Sequence, residues 1–314
     1  MAGDLKLIAG NSNPELAQEI SSCLGVPLCD AEVSRFPDGE IHVHIKETVR
    51  GTDVFVIQST SPPVNENYME LFLIIDALRR ASARRITAVV PYYGYARQDR
   101  KFIGRVPISA KLMANFLETA GADRVLTLDL PAGQIQGFFN IPVDNLRIDP
   151  IFAEVIEREG LLNDTVIVAP DVGAAKRASA VAERLRLPYA IVEKARVSER
   201  TGEVEARHII GEVRDKRAII VDDIIATGGT VVAAVELLLE SGAREVYAAF
   251  SHGVFADRCL ERLEGSALKR VFVTNSIRPP QSPKIVPISV GKLFAEIIER
   301  IHTEKSVSEL FPHY

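Results

Sequence analysis

The sequence predicts an α/β protein of two related domains, each a mostly parallel β-sheet flanked by helices. Short apolar stretches alternate with helix-length amphipathic stretches almost throughout the 314 residues, which is typical of a parallel sheet covered by helices. The apolar stretches are also nearly continuous in Val, Ile and Leu, as expected for strands that are buried on both faces.

Nine apolar stretches are predicted strands. The first half of the chain contains Leu5–Gly10, Asp53–Gln58, Ile86–Pro91 and Val125–Asp129. The second half contains Val166–Pro170, Tyr189–Lys194, Ala218–Asp223, Val246–Phe250 and Val271–Asn275.

Four amphipathic stretches between these strands are predicted helices: Asn65–Ser82, Pro107–Ala120, Gly173–Leu185 and Gly229–Ser241. Pro107 is expected in the first turn of its helix, where no N–H is needed. Gly121 and Gly242 are expected to end two of the helices, since glycine favours that position.

The two halves of the chain repeat each other. Two pairs of segments carry the repeat: Arg85–Val90 with Arg244–Ala249, and Arg124–Thr127 with Arg270–Val273. We therefore predict a duplicated unit, with the boundary near Ile148–Pro150. The first domain is expected at residues 1–149, with residues 301–314 packing back on it, and the second at 150–300.

Composition excludes several classes of function. The net charge of −5 and the absence of Trp argue against a nucleic-acid-binding surface. No apolar run is long enough to predict a transmembrane helix, and no secretory signal is visible, so a cytoplasmic location is expected. The three cysteines and six histidines form no metal-ligand spacing.

The strongest local signal lies in Ile219–Thr230, where an apolar strand ends in two acids and a Thr- and Gly-rich turn opens a helix. Glycines let the backbone approach an anion closely, and the amides of a helix N-terminus point at it. The acids can accept hydrogen bonds from ribose hydroxyls. The pattern therefore predicts a sugar-phosphate site, whose alternative is an ordinary strand-to-helix turn. The residues concerned are Asp222, Asp223, Ala226, Thr227, Gly228, Gly229 and Thr230.

A basic cluster follows another predicted strand. Tyr92–Lys101 and the nearby Arg105 gather four cations and a glutamine in a short segment, as a nucleoside triphosphate requires. The alternative is a solvated basic loop.

Asp171 and the pair Lys194 and Arg196 also follow predicted strands. Asp171 could hold Mg²⁺ or could simply cap a helix. Lys194 and Arg196 precede the polar run Ser198–Glu203, which could close cations over a transferring phosphoryl group. A charged hairpin is the alternative for that run.

Seven segments, in order along the chain, form a more specific pattern: Arg35–Glu40, Tyr95–Asp99, Pro107–Leu112, Ala132–Phe139, Ala169–Gly173, Asp222–Thr230 and Ser306–Phe311. On these segments the chain resembles the class I ribose-phosphate diphosphokinases, or phosphoribosyl pyrophosphate synthetases, over essentially its full length. The resemblance implies two domains of the phosphoribosyltransferase type. It also implies transfer of the pyrophosphoryl group of MgATP to O1 of ribose 5-phosphate, with AMP leaving.

The resemblance also implies a role for each candidate residue. ATP would be bound by Phe36, Asp38 and Glu40 across a subunit contact, and by Arg97 and Gln98. Ribose 5-phosphate would be bound by Arg196, Asp222, Asp223 and the segment from Ala226 to Thr230. Asp171 would take part in the Mg²⁺ site, and Lys194 and Arg196 would be catalytic.

Family members assemble as hexamers and respond to phosphate and ADP. The positions that match their regulatory site are Arg50, Ser82, Arg105, Ser306 and Ser308.

Two residues depart from the family pattern. Pro131 replaces a histidine that contacts metal and nucleotide, and Ala226 replaces an acid near the ribose. If the metal site has been rebuilt around other groups, Asp129 and Asp171 are the first candidates. The departures leave open an active enzyme with an altered metal site, a weakly active or inactive regulatory paralogue, and a sugar-phosphate-binding module. A phosphoribosyltransferase, which has a similar loop, is a further alternative.

Overall fold

The computed structural model describes residues 3–195 and 206–310, and the chain divides into two compact units. Unit 1 comprises Met1–Arg147, Asn275–Arg278 and Ser289–Tyr314. Unit 2 comprises Ile148–Thr274 and Pro279–Ile288. Within the described ranges, no helix combines the length and the apolar character needed to cross a membrane.

The strands, in chain order, are β1 Leu5–Ala9, β2 Ala31–Arg35, β3 Ile41–Ile45, β4 Asp53–Ile57, β5 Arg85–Val90, β6 Arg124–Leu128, β7 Val143–Leu146, β8 Thr165–Ala169, β9 Tyr189–Ala195, β10 Ala206–Ile210, β11 Arg217–Ile225, β12 Glu245–Gly253, β13 Val271–Thr274 and β14 Ile285–Ile288. The α-helices are α1 Pro14–Leu24, α2 Val64–Arg80, α3 Ser109–Ala120, α4 Asp149–Arg158, α5 Ala175–Leu185, α6 Gly229–Glu240, α7 Cys259–Gly265 and α8 Gly291–His302. Short 3₁₀ helices span Gly133–Phe138, Val172–Ala174 and Ser308–Leu310.

The sheet of unit 1 has the strand order β1-β4-β5-β6-β7, and all its pairings are parallel. Strand β4 is buried along its whole length, as the continuous apolar sequence predicts. Strands β2 and β3 form a separate antiparallel hairpin.

The sheet of unit 2 has the order β10-β9-β8-β11-β12-β13-β14. Its pairings are parallel except for the edge strand β10, which runs antiparallel to β9. The centre of this sheet packs against apolar side chains of α6 and α7, including Val235, Leu238 and Leu263.

The two units share one order of elements, which confirms the predicted fold class of two related α/β domains. In each unit a parallel strand (β1 or β8) is followed by a helix and an antiparallel strand pair. The next parallel strand (β4 or β11) then leads into a helix, α2 or α6. The β2–β3 hairpin of unit 1 therefore corresponds to the β9–β10 pair of unit 2.

Two details differ from the sequence expectations. Helix α3 begins at Ser109 after the N-cap residue Ile108, so Pro107 precedes the helix instead of lying in its first turn. Helix α8 belongs to unit 1, although residues 150–300 were expected to form the second domain. Its amphipathic face, with Phe294 and Ile298 buried, packs beside α1, and a helical period alone does not reveal which partner covers that face.

Candidate functional site

The two acids of the sugar-phosphate loop lie within strand β11, which continues to Ile225. The predicted strand was Ala218–Asp223, so the observed strand begins one residue earlier and ends two residues later. Asp222 and Asp223 are both partly buried, and the backbone N–H of Asp223 donates to Asp222 Oδ1 at 2.8 Å. Their carboxylates are thus placed at the carboxyl end of a central strand, where ligands bind in α/β sheets.

The side chain of Asp222 has a strongly raised pKa. Removal from water and the neighbouring Asp223 carboxylate raise the pKa of Asp222 to about 8, while the positive charge of Arg177 opposes the rise. Burial disfavours the charged form of a carboxyl group, and a like charge nearby adds to that effect. The Asp222 carboxyl is therefore mostly protonated at neutral pH.

The turn after β11 leads directly into α6. Gly228 is the N-cap residue with φ 77°, and a Cβ atom there would lie 3.0 Å from Cys259 Sγ. Both facts favour glycine at this position. Thr227, Gly229 and Thr230 are exposed, so the N-terminus of α6 is accessible to an anion, which helix N-terminal amides bind favourably.

Lys194 lies in, and Asp171 follows, a strand of unit 2 that ends at the same edge of the sheet as β11. Strand β8 lies between β9 and β11 and pairs in parallel with both, so the carboxyl ends of the three strands meet at one edge of the sheet. Lys194 is the penultimate residue of β9, and Asp171 follows β8. Arg196 lies outside the described residues, so its role stays a prediction.

Asp171 serves as the N-cap of the 3₁₀ helix Val172–Ala174, because its Oδ1 accepts from the Ala174 N–H at 3.1 Å. The capping interpretation is thus correct, and a metal-binding role stays a prediction. In residues 3–195 and 206–310, no group of three or more His, Cys, Asp or Glu side chains is arranged to hold a metal ion.

The predicted ATP-side residues lie in unit 1, on two exposed turns. Phe36, Asp38 and Glu40 form the tip of the β2–β3 hairpin. The tip is closed by hydrogen bonds from the Phe36 N–H to Glu40 O at 2.8 Å and from the Glu40 N–H to Asp38 Oδ1 at 3.2 Å. Phe36 is 48% exposed, so its ring is available to a flat ligand.

Arg97 and Gln98 lie in the second exposed turn, which follows β5. The Gln98 side-chain oxygen accepts from Ser109 Oγ at 2.6 Å, which ties the turn to the first residue of α3. A Cβ atom at Gly94 would lie 2.5 Å from the Thr60 carbonyl oxygen. The tight packing of this backbone therefore fixes the base of the turn.

The start of helix α2 joins these two turns. Glu66 pairs with Arg35 of the hairpin at 2.5 Å, and Asn65 accepts from the Tyr95 hydroxyl at 2.5 Å. The structure therefore anchors the hairpin and the Arg97 turn to consecutive residues of one helix. The sequence did not predict the anchoring roles of Asn65 and Glu66, because each contact joins residues about thirty positions apart and no local motif indicates it.

Asp129 and Pro131 follow strand β6 in unit 1. Asp129 is buried and has φ 50°, a conformation that Asp tolerates better than most residues. Pro131 is exposed, and its side chain has no donor or acceptor for a metal or nucleotide.

Four of the five predicted regulatory residues form two close side-chain pairs in unit 1. Arg50 donates to Ser82 Oγ at 3.3 Å, and Ser306 Oγ lies 3.0 Å from Ser308 Oγ. Arg105 lies on a third segment and is exposed. These residues carry suitable donors for a phosphate group, and their regulatory role stays a prediction.

The sequence also gave no indication of Arg262. This residue of α7 donates through Nη1 to the Thr227 carbonyl oxygen at 2.7 Å, and it thereby contacts the loop that carries the predicted sugar-phosphate site. The two residues are 35 positions apart in the chain, so no local pattern links them.

Comparison with known proteins agrees with this architecture. Residues 5–121 match the N-terminal domain of ribose phosphate pyrophosphokinase, and residues 203–312 match the phosphoribosyl synthetase-associated domain. The chain is 53% identical over 313 residues to ribose-phosphate pyrophosphokinase from Thermotoga maritima, covering 99% of both chains. It is 51% identical over 311 residues to the Bacillus subtilis protein of the same name, covering 98% of this chain and 97% of that one.

A solved structure is similar as well. The phosphoribosylpyrophosphate synthetase from Mycobacterium smegmatis superposes with a TM-score of 0.91 at 40% identity, covering 96% of this chain and 99% of that one. The similarity extends over both units, and with the duplicated fold and the acid-acid loop at the end of β11 it places the chain in the ribose-phosphate pyrophosphokinase family.

Proposed function

We propose that this chain transfers the β,γ-pyrophosphoryl group of MgATP to O1 of ribose 5-phosphate, giving 5-phosphoribosyl 1-pyrophosphate and AMP for nucleotide biosynthesis. The observation that carries the proposal is the end of β11, where Asp222 and Asp223 precede the exposed N-terminus of α6. That arrangement offers acceptors for ribose hydroxyls and amides for a 5-phosphate within one turn of chain.

The reaction forms a bond between ribose O1 and the β-phosphorus, breaks the bond between that phosphorus and the bridging oxygen on the α-phosphate, and releases the proton of the O1 hydroxyl. Positioning and electrostatics do most of the work in such transfers. In this proposal Asp222 and Asp223 fix the ribose, and the amides from Thr227 to Thr230 hold its 5-phosphate. Lys194 and Arg196 stabilise negative charge on the transferring group.

ATP binding is assigned to unit 1. Phe36, Asp38 and Glu40 would contact the adenine of a nucleotide bound to a neighbouring subunit, and Arg97 and Gln98 would hold the remainder of ATP. The joint anchoring of both turns on α2 supports this assignment, because it gives two exposed segments a common rigid base. A phosphoribosyltransferase has no need for such an ATP-side set.

Mg²⁺ suits the residues present. This ion usually keeps several waters and is held by one or two carboxylates together with substrate phosphates, so Asp171 can serve without a cage of protein ligands. Asp129 is the second candidate. When bound, the ion would neutralise charge on the phosphates of ATP.

A coupled assay tests the proposed function. AMP formation from ATP and ribose 5-phosphate with Mg²⁺ should require all three components. If the protein binds both substrates and forms no AMP, the second candidate applies, a regulatory paralogue of such an enzyme. Pro131 and Ala226 are the residues that favour this second candidate.

The two departures give a separate prediction. Pro131→His restores an imidazole that can bind a divalent ion or a phosphate oxygen, and Ala226→Asp restores an acceptor near the ribose. If the site descends from a more active one, the double variant should raise kcat/KM by about tenfold, with the pair exceeding the sum of the singles because both act on one complex. If the parent is already highly active and the double substitution leaves kcat/KM unchanged or lowers it, the site has instead been rebuilt around other groups.

We further propose regulation by phosphate and ADP, assembly as a homohexamer and a cytoplasmic location. The regulatory proposal rests on Arg50, Ser82, Arg105, Ser306 and Ser308, whose donors suit a phosphate group. Hexamer formation is open to measurement by light scattering.

Millimolar phosphate should raise the activity or the thermal stability of the protein, and Arg105→Ala should reduce that response at least severalfold, because it removes a charged donor. Arg158→Ala, which removes an exposed arginine of α4 in unit 2, is the matched control. If the Arg105→Ala variant responds to phosphate as strongly as the parent does, Arg105 is not part of the regulatory site.

A further inference from the structure

One segment of unit 2 donates hydrogen bonds to three successive carbonyl groups of the sugar-phosphate loop. Ile225 O accepts from the Val254 N–H at 2.9 Å, and Ala226 O accepts from the Ala256 N–H at 2.9 Å. The next carbonyl, Thr227 O, accepts from Arg262 Nη1 at 2.7 Å. The Phe255 N–H also donates to Ile225 O, at 3.4 Å. The segment that follows β12 therefore holds the loop through its carbonyls, by three backbone donors and one side chain.

The direction of these carbonyls determines where the loop amides point. In a trans peptide the C=O and the N–H of the same unit point in opposite directions. With the carbonyls of residues 225, 226 and 227 turned toward the segment after β12, the N–H groups of Ala226, Thr227 and Gly228 point away from it. Backbone amides aligned in this way form a concave site for anions.

Arg262 is itself fixed by a second contact. Its Nη2 donates to Asp257 Oδ2 at 2.8 Å, while Nη1 reaches Thr227 O. The planar guanidinium can serve both acceptors at once because its donors have a fixed geometry, which a lysine ammonium lacks. Asp257 precedes α7 and has φ 56°, so a tight turn presents its carboxylate to the arginine.

We propose that Asp257 and Arg262 are a positioning pair, which holds the peptide between Thr227 and Gly228 with its N–H directed at the 5-phosphate of ribose 5-phosphate. The proposal rests on the proposed function. Neither residue is a catalytic residue, since Arg262 donates to a carbonyl on the far side of the loop from the amides. The pair stabilises the one peptide orientation in which the loop binds an anion.

Calorimetry with ribose 5-phosphate and with ATP, each alone, provides the test. Arg262→Gln and Asp257→Asn should each weaken ribose 5-phosphate binding by about 5–10-fold, in the range expected when one hydrogen bond of this kind is lost. ATP binding should change by less than about twofold, because ATP is assigned to unit 1. Arg262→Lys should recover only part of the affinity, and the double variant should lose no more than Arg262→Gln alone.

Arg258→Ala is the matched control. Arg258 lies beside α7, carries the same charge and pairs with Glu261 at 2.7 Å. The proposal is overturned if the control weakens ribose 5-phosphate binding as much as Arg262→Gln does, since a general field of charge would then be the cause. Equal losses for ATP and ribose 5-phosphate would overturn it as well, because they would indicate a general loss of structure.

Failure of the proposed function would look different. In that case the parent itself would form no AMP from ATP and ribose 5-phosphate. A parent that binds no ribose 5-phosphate would overturn both the function and the positioning pair. An active parent whose Arg262→Gln variant binds ribose 5-phosphate normally would overturn the pair alone.

Discussion

Replacing Lys194 with alanine is expected to lower kcat by about 10²–10³-fold, the usual cost of removing one charged donor to a transition state. The binding of ribose 5-phosphate should change little, since the lysine acts on the transferring group. A loss in kcat without a matching loss in substrate affinity marks an interaction made only in the transition state.

The topology of unit 2 supports this expectation. Strand β9, which carries Lys194, pairs in parallel with β8, and β8 pairs in parallel with β11. The ends of these strands thus bring Lys194, Asp171 and Asp222 to one edge of the sheet, although their order along the chain separates them by many residues. This shared edge is the reason to expect that Lys194 acts on a group bound near Asp222.

Steady-state kinetics of Lys194→Ala, with AMP formation as the readout, checks the prediction. Lys269→Ala is the matched control, because Lys269 is exposed and precedes β13 at the opposite edge of the sheet. A Lys194→Ala variant within about threefold of the parent would remove this residue from the mechanism.

The sequence predicted the central parallel strands well because these are buried on both faces and their composition is distinctive. Strands β2 and β3 were not predicted, since the hairpin is only partly buried and mixes polar with apolar residues. Strand β14 is four residues long and contains Pro287, which argues against a strand when seen alone.

The position of the candidate sugar-phosphate loop could be predicted because its residues are contiguous. Asp222 to Thr230 follow one another in the chain, and the structure places them at the end of β11 and the start of α6, while their binding role stays a prediction. Arg262 and Glu66 were missed because each acts on a loop that is distant in sequence. Such pairings arise from the packing of whole elements and leave no trace in a local pattern.

Besides Lys194→Ala, the double variant Asp222→Asn with Asp223→Asn has the largest expected effect. It should weaken ribose 5-phosphate binding by about 10²-fold or more, because hydrogen bonds to charged acceptors are among the stronger ones in proteins. ATP binding should be nearly unchanged. Asp215→Asn is the control, since Asp215 is an exposed acid before β11 with φ 58°, a conformation that Asn also adopts.

The raised pKa of Asp222, about 8, adds a pH dependence whose sign can be worked out. The Asp222 carboxyl is mostly protonated at neutral pH, whereas the ionised carboxylate is the stronger acceptor for ribose hydroxyls. Binding should therefore release a proton, and ribose 5-phosphate affinity should increase as the pH rises through about 8 and then level off.

Calorimetry between about pH 6 and pH 9, in two buffers of different ionisation enthalpy, measures both the affinity and the protons released. The double variant should show neither the increase nor the release, whereas Asp215→Asn should show both. Equal losses of ATP and ribose 5-phosphate affinity in the double variant, or binding by the parent without proton release, would contradict the assignment of these acids to the ribose.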